Sequence, residues 1–224
     1  MNILGVDTTG KLASVIVKYL DKTIYNEDIN NVTHSEKLLS LIDKTLNNIN
    51  LKDINLLATT IGPGSFTGVR ISVSTIKAMA QALNLKIVAI PSLELMAYSY
   101  YLNNNSKYIC SMLDARNDRV YYSIYEITEN NNKIDIIKKC DISNDIFDNV
   151  LNKINIYNNI TVICDNILPF KDRLNNIHCD TYILNTKYFC NYIENVNNIN
   201  ITDYLNLDVI YARMSQAERV KNDL

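Results

Sequence analysis

Metal-ligand clusters, paired cysteines, membrane spans and a basic surface are all missing from this chain. Its two histidines, His34 and His178, stand far apart and outside any ligand spacing. Five cysteines, Cys110, Cys140, Cys164, Cys179 and Cys190, are odd in number and never form a C-x-x-C pair, so they read as reduced thiols. No apolar run approaches the roughly 18 residues of a membrane helix, and the opening MNILGVDTTG lacks the basic start of a signal peptide. The expected location is the cytosol. A net charge of -2 leaves no footprint for direct recognition of a polyanion. Glycine and proline are scarce too, five and three among 224 residues. What remains is an ordinary globular composition, 47% hydrophobic, with length for one domain or two small ones.

NILGVD and ASVIVKYL flank the polar turn TTGKL and predict a hairpin, which KTIYNEDI extends to an antiparallel meander. THSEKLLSLIDKTLNNI predicts a helix. Thr33 and Glu36 have capping-box spacing there, and Leu38, Leu41, Ile42, Leu46 and Ile49 form one apolar face. INLLATTIG reads as a buried strand, Val69 to Asn84 as a second helix, LKIVAIP as a strand, and a third helix starts near Ser92. The Asn-rich run Asn103 to Ser106 marks a boundary. It gives an N-terminal domain over 1–103 and a smaller, more divergent one over 104–224, its tail packing back on the first. KYICSMLDARNDRVYYSIYEI is a strand, a tight turn at Asn117 and Asp118, and a strand, a partial echo of the opening meander. Beyond it ITVICD is a strand between helical fragments and Asn-rich solvated loops, and YARMSQAERVKNDL is a charged, helix-compatible tail. The asparagine surplus itself reads as compositional bias.

Against the scarcity of glycine, TTIGPGSFTGVRISVSTIKAMAQALN places Gly62, Pro63, Gly64 and Gly68 within seven residues, between strand and helix. No lysine follows until Lys77, so this is not a P-loop, and G-x-G-x-x-x-G does not match the dinucleotide fingerprint. Two readings stay open. One is a structural turn in which glycine permits unusual angles and close packing; the other is an anion site on the helix N-terminus. On the helix, at about 100° per residue, Val69, Val73, Ile76, Ala80 and Leu83 share a core face. The far side carries a small, weakly polar stripe, Ile71, Thr75, Ala78 and Ala82, with Arg70, Ser74, Lys77 and Gln81 between. Small residues let another helix approach closely, from the same domain or from a partner chain.

ILGVDTTGKLASVIV, HSEKLL, GPGSFTGVRISVSTIKAMAQALN, IPSLELMA, LDARNDRVYYS and VIYARMSQAER together resemble the TsaB (YeaZ) family, bacterial partners in making threonylcarbamoyl-adenosine (t6A) on tRNA. The pieces come in the family's order and span nearly the whole chain. GPGSFTGVRI is highly specific, whereas residues 130–206 carry little signal. The resemblance implies an α/β actin-like (ASKHA, ribonuclease H-like) fold of two related domains, each a mixed sheet flanked by helices. It implies a non-catalytic relative of the TsaD enzyme. Such a scaffold is required for t6A next to the anticodon in tRNAs reading codons that begin with A, and it acts with a TsaD-like transferase and a TsaE-like ATPase. Homodimers are implied when it is alone, with tRNA contact only through the complex and no membrane. The implied partner or dimer face is Leu38, Arg70, Ile71, Ser74, Thr75, Ala78 and Ala82, with Gly62, Pro63, Gly64 and Gly68 as a structural loop. No cofactor or metal is implied. Residual ATP or ADP would occupy a remnant site at Asp7, Thr8 and Thr9, or an interface with partners.

TsaD-like enzymes hold their metal on two histidines four apart, and Ser92 and Met96 stand at the matching positions here, poor ligands for a hard or borderline ion. His34 has no paired nucleophile and reads as structural or interfacial. Asp114 and Arg116 are expected to form a local salt bridge across their hairpin. Arg213, Glu218 and Arg219 are left for a partner, in a tail with Val209 where the family has proline. The competing readings are a small-molecule kinase or ATPase of the same fold, and a metallopeptidase.

Overall fold

The computed structural model describes residues 1–28 and 34–212, the side chains of 34–36 excepted. β1 (Ile3–Asp7), β2 (Ala13–Tyr19) and β3 (Lys22–Asp28) form the antiparallel meander. β4 (Leu56–Thr60) and β5 (Lys86–Ile90) extend the sheet in parallel on the other side of β1, reached through α1 (His34–Leu46) and α2 (Phe66–Leu83). α3 (Ser92–Asn104) leads to a second sheet of β6 (Tyr108–Asp114), β7 (Arg119–Asn130) and β8 (Lys133–Ile146). Next come α4 (Phe147–Ile154), β9 (Ile160–Cys164), β10 (His178–Thr181) and α5 (Phe189–Asn195). β11 (Ile201–Thr202) then returns to the first sheet, antiparallel to β5.

The strand orders are β11-β5-β4-β1-β2-β3 and β10-β9-β6-β7-β8. Apart from β11, each sheet has three antiparallel strands followed by two parallel ones. The echo read at one hairpin thus extends through the whole second sheet.

Several boundaries differ from the sequence expectation for local reasons. α2 starts at Phe66, ahead of Val69, because the Ser65 hydroxyl accepts the Gly68 N–H at 3.2 Å and caps the first turn. It ends at Asn84, which adopts a left-handed conformation with φ 54°. α1 stops before Asn47 and Asn48, also left-handed, leaving Ile49 outside the helix. The Thr33–Glu36 cap lies outside the described residues. Asn105, Asn131, Asn132 and Asn159 hold further positive-φ positions, whereas Gly62 is the single glycine there among the described residues. Asparagine tolerates that region better than most side chains. Its surplus therefore does conformational work in a glycine-poor chain.

α3 is buried on all sides from Leu95 to Tyr100, as expected of a helix packed between two layers. It joins Ile3 and Leu56 of the first sheet to Ile109 and Tyr125 of the second, together with Phe189 and Tyr192 of α5. Tyr98 and Tyr192 meet edge to face with centroids 5.2 Å apart. A Cβ on Gly5 would lie 2.5 Å from the Phe189 ring, so this glycine lets α5 rest on β1. Separate apolar clusters fill the space under α1 and α2 and under α4.

Glu94 lies largely buried in this shared layer, its Oε1 accepting the Tyr192 hydroxyl. Burial pushes its carboxyl above the ordinary 4.5, opposed by the Tyr192 bond and by Lys138. A carboxyl raised in the folded state holds its proton more tightly there than in the unfolded chain. Its contribution to stability is therefore complete below pH 4.5 and is lost as pH rises through the raised folded value. Glu94→Gln cannot ionise, so its thermal midpoint should exceed the wild type's at about pH 7 and converge with it at about pH 4. Calorimetry across that range checks the expectation.

Candidate functional site

The glycine loop runs from the end of β4 to the start of α2, directly over the β1–β2 turn. Ser65 N–H donates to the Thr9 carbonyl at 2.8 Å, and the Thr8 hydroxyl donates to the Gly68 carbonyl at 2.6 Å. A Cβ on Gly64 would stand 2.5 Å from the Thr9 carbonyl oxygen, and one on Gly68 only 1.9 Å from that of Thr8. These two glycines are required by close approach of backbone to backbone. Gly62 is required by its φ of +94°, and its α-carbon faces the Ile210 carbonyl. The Gly62–Pro63 peptide is cis.

Asp7, Thr8 and Thr9 are buried beneath this loop. Asp7 Oδ1 accepts from the Thr9 N–H at 3.1 Å, from the Thr9 hydroxyl at 2.6 Å, and from the Thr60 hydroxyl. Ser92 is buried alongside: its N–H donates to the Gly62 carbonyl at 2.9 Å and its hydroxyl lies 3.4 Å from that of Thr9. Met96 is buried in the layer shared by the two sheets. Among the described residues no group of three or more His, Cys, Asp or Glu is placed to hold a metal ion.

The outer face of α2 behaves differently. Gly68, Val69, Ser72, Val73, Ile76 and Ala80 are buried, whereas Ala78 and Ala82 are exposed and Ile71 and Thr75 half-buried. α1 flanks this stripe without covering it. An open groove of about 400 Å³ runs between the two helices, lined by Leu38, Leu39, Ile71, Ser74, Thr75, Ala78 and Met79. Leu38 needs correction as a surface residue: it is 1% exposed and forms only the groove floor, while Leu39 is 63% exposed. Leu39 and Met79 were missed because both fall off the stripes read on their helices. A leucine beside the α1 core stripe was the available signal. The Ser74 hydroxyl turns back onto the Arg70 carbonyl at 2.5 Å, which makes the face less polar than its sequence. Ala82 lies beyond the groove lining, and Arg70 lies against Phe66 and Tyr211 at the N-terminal end of α2.

In place of the expected Asp114–Arg116 salt bridge, Asp114 bonds to a backbone N–H and to a side-chain amide. Asp114 accepts the Arg116 backbone N–H at 2.8 Å and the Asn166 side-chain amide at 3.1 Å. The left-handed backbone at Arg116, Asn117 and Asp118 turns the main-chain N–H toward the carboxylate. The His34 side chain, Arg213, Glu218 and Arg219 lie outside the described residues.

A family model described as tRNA N6-adenosine threonylcarbamoyltransferase (TsaD) matches residues 24–161, more than half of the chain. The tRNA threonylcarbamoyladenosine biosynthesis protein TsaB of Haemophilus influenzae is 30% identical over 125 residues, covering 55% of this chain and 53% of that protein. Escherichia coli TsaB is 32% identical over 133 residues, covering 58% and 57%. The chain belongs to the TsaB (YeaZ) family. These alignments span little more than half the length of the TsaB relatives. YeaZ from Pseudomonas aeruginosa superimposes with a TM-score of 0.72 over 94% of this chain and 99% of that one. At 17% identity it supports the fold alone, the ribonuclease H-like, actin-like architecture that the repeated strand order displays. No helix among the described residues is long and apolar enough to cross a membrane.

The tight loop generates a stability test. Gly68→Ala forces its Cβ into the Thr8 carbonyl and should cost about 3 kcal/mol, lowering the thermal midpoint by about 6–12 °C. Gly10→Ala, whose Cβ meets nothing within 4 Å, should stay within about 0.5 kcal/mol of wild type. Chemical denaturation of both variants checks the contrast.

Proposed function

We propose that this TsaB-family chain is a non-catalytic subunit in t6A formation on tRNA, docking a TsaD-like transferase through the α1–α2 groove together with a TsaE-like ATPase. The observation that carries this reading is the groove itself: a weakly polar face with Leu39 largely in water beside Ala78 and Ile71. Such a face loses free energy when another helix covers it, because apolar area leaves water and small residues permit close contact. The same groove would pair two copies of the chain when the transferase is absent. With a net charge of -2, the chain is proposed to meet tRNA only through the complex.

The non-catalytic part of the proposal draws support from the interior. Asp7, at the end of β1, lies under the glycine loop and engages Thr9 and Thr60 instead of facing solvent. A kinase or ATPase reading would need that carboxylate turned toward a nucleotide. No cofactor of its own is assigned to the chain, and any residual ATP or ADP would lie at an interface with partners.

Reconstituted t6A formation by the transferase and its companions, with and without this chain, should depend on it, while the chain alone turns over no ATP. Robust ATPase activity alone, without effect on tRNA modification, would overturn the proposal. Ala78→Arg should leave stability within about 0.5 kcal/mol, because the site is exposed. It should weaken transferase binding by about 30-fold or more, since an unpaired guanidinium would be buried in the groove. Titration calorimetry reads this directly, and unchanged affinity would remove the groove from the contact.

A further inference from the structure

Arg70 is held in an unusual way for an exposed cation. Its guanidinium carbon lies 3.8 Å from the Phe66 ring centroid and 5.7 Å from that of Tyr211, and its Nε–H donates to the Tyr211 hydroxyl at 3.0 Å. The two rings are 5.6 Å apart at 43°. Phe66 is one helical turn before Arg70, so the i, i+4 spacing sets one wall of the clamp. Tyr211 sets the other, and its position is fixed because Ile210 N–H donates to the Ile61 carbonyl at 2.8 Å. Phe66 and Tyr211 remain 45% and 51% exposed. Two large rings thus stay in water while immobilising one arginine.

With Nε engaged by Tyr211, the N–H groups of Nη1 and Nη2 are left for an acceptor. Among the described residues no carboxylate lies within 4.0 Å of them. A stacked guanidinium has already lost most of the side-chain freedom that binding would otherwise remove, and its planar fork matches a carboxylate with two parallel bonds. The eighteen residues of α2 carry Arg70 and Lys77 and no acid, which favours an acidic group on a surface that covers this end of the helix. Arg70 is also continuous with the groove through its neighbour Ile71.

We propose that Arg70 is a preset carboxylate clamp at the end of the docking groove, receiving an Asp or Glu from the partner helix that covers the groove. This rests on the docking reading above. A nucleic-acid phosphate is the less favoured acceptor, because the chain's net charge of -2 supplies no surrounding basic field.

The test measures binding of a purified TsaD-type transferase to Arg70→Gln, Arg70→Lys, Tyr211→Phe and wild type at low and high salt. Arg70→Gln and Arg70→Lys should each lose about 10- to 30-fold in affinity, because lysine restores charge without the planar fork. The glutamine variant should also show the flatter salt dependence. Tyr211→Phe, which keeps the ring and removes the Nε bond, should lose about threefold, within the range of one hydrogen bond. Arg70→Glu should recover when one acidic residue of the transferase's facing helix is changed to lysine. Wild-type affinity for both Arg70→Gln and Arg70→Lys, with Ala78→Arg still defective, would overturn the clamp and leave the docking reading standing. Failure of the wild type itself to bind the transferase would overturn both. Loss of tRNA binding by Arg70→Gln alone, with transferase affinity unchanged, would replace the carboxylate with a phosphate and overturn the proposal.

Discussion

The helix side of the first sheet depends on one backbone contact: the carbonyls of Thr8 and Thr9 lie against the α-carbons of Gly68 and Gly64, closer than any side chain permits. Because Ser65 N–H then reaches the Thr9 carbonyl, the N-terminal turn of α2 is fixed to the β1–β2 turn and its orientation on the sheet is set. A phosphate-binding loop uses glycine to let a ligand approach the backbone. Here glycine lets another stretch of the same backbone approach, and Ser65 N–H is satisfied from within. The bond between Thr60 and Asp7 joins the ends of β1 and β4 in the same knot.

The two sheets are joined through α3 and α5 rather than through α1 and α2. α3 has no solvent face along most of its length, and the tyrosines around it make edge contacts and end in hydrogen bonds, Tyr98 to Asn191 and Tyr192 to Glu94. α1 and α2 therefore need only one buried face each. Their outer surface is released from holding the fold together, which is the physical condition for a protein to keep an apolar groove open without losing stability.

The first half was legible in the sequence because its signals were local. Strand runs are buried and apolar, the meander turns are short, and the α1 stripe from Leu38 to Leu46 has helical period. The second half was less legible for definable reasons. β8 is a long strand at one edge of its sheet, with alternating partial exposure and register shifts near Tyr122 and Ile124, so it shows neither a clean apolar run nor strict alternation. Turn positions carry asparagine where glycine would have announced them, and within Asn-rich stretches those residues do not stand out. The return of β11 to β5 and the burial of Leu207 in the apolar cluster under α1 and α2 are long-range events that two or three residues cannot signal. On the groove, the stripe of α2 was readable, but exposure separates Leu39 from Leu38 and only the packed structure supplies it.

The motif that first draws attention in the sequence thus works on both sides of one helix. Gly64 and Gly68 fix the inner end of α2 to the hairpin, and Phe66, lying between them in sequence, points outward and carries Arg70. Gly62 completes the arrangement, since only a residue without Cβ leaves room for the Ile210 carbonyl, and that approach brings Tyr211 onto the arginine. A change at Gly62 would therefore disturb the Ile210–Tyr211 segment and release Tyr211, and Arg70 would regain rotamers without any groove residue being touched. Coupling between the buried loop and the proposed docking face needs no conformational switch. It follows from three glycines that place the hairpin, α2 and the Ile210–Tyr211 segment within contact of one another.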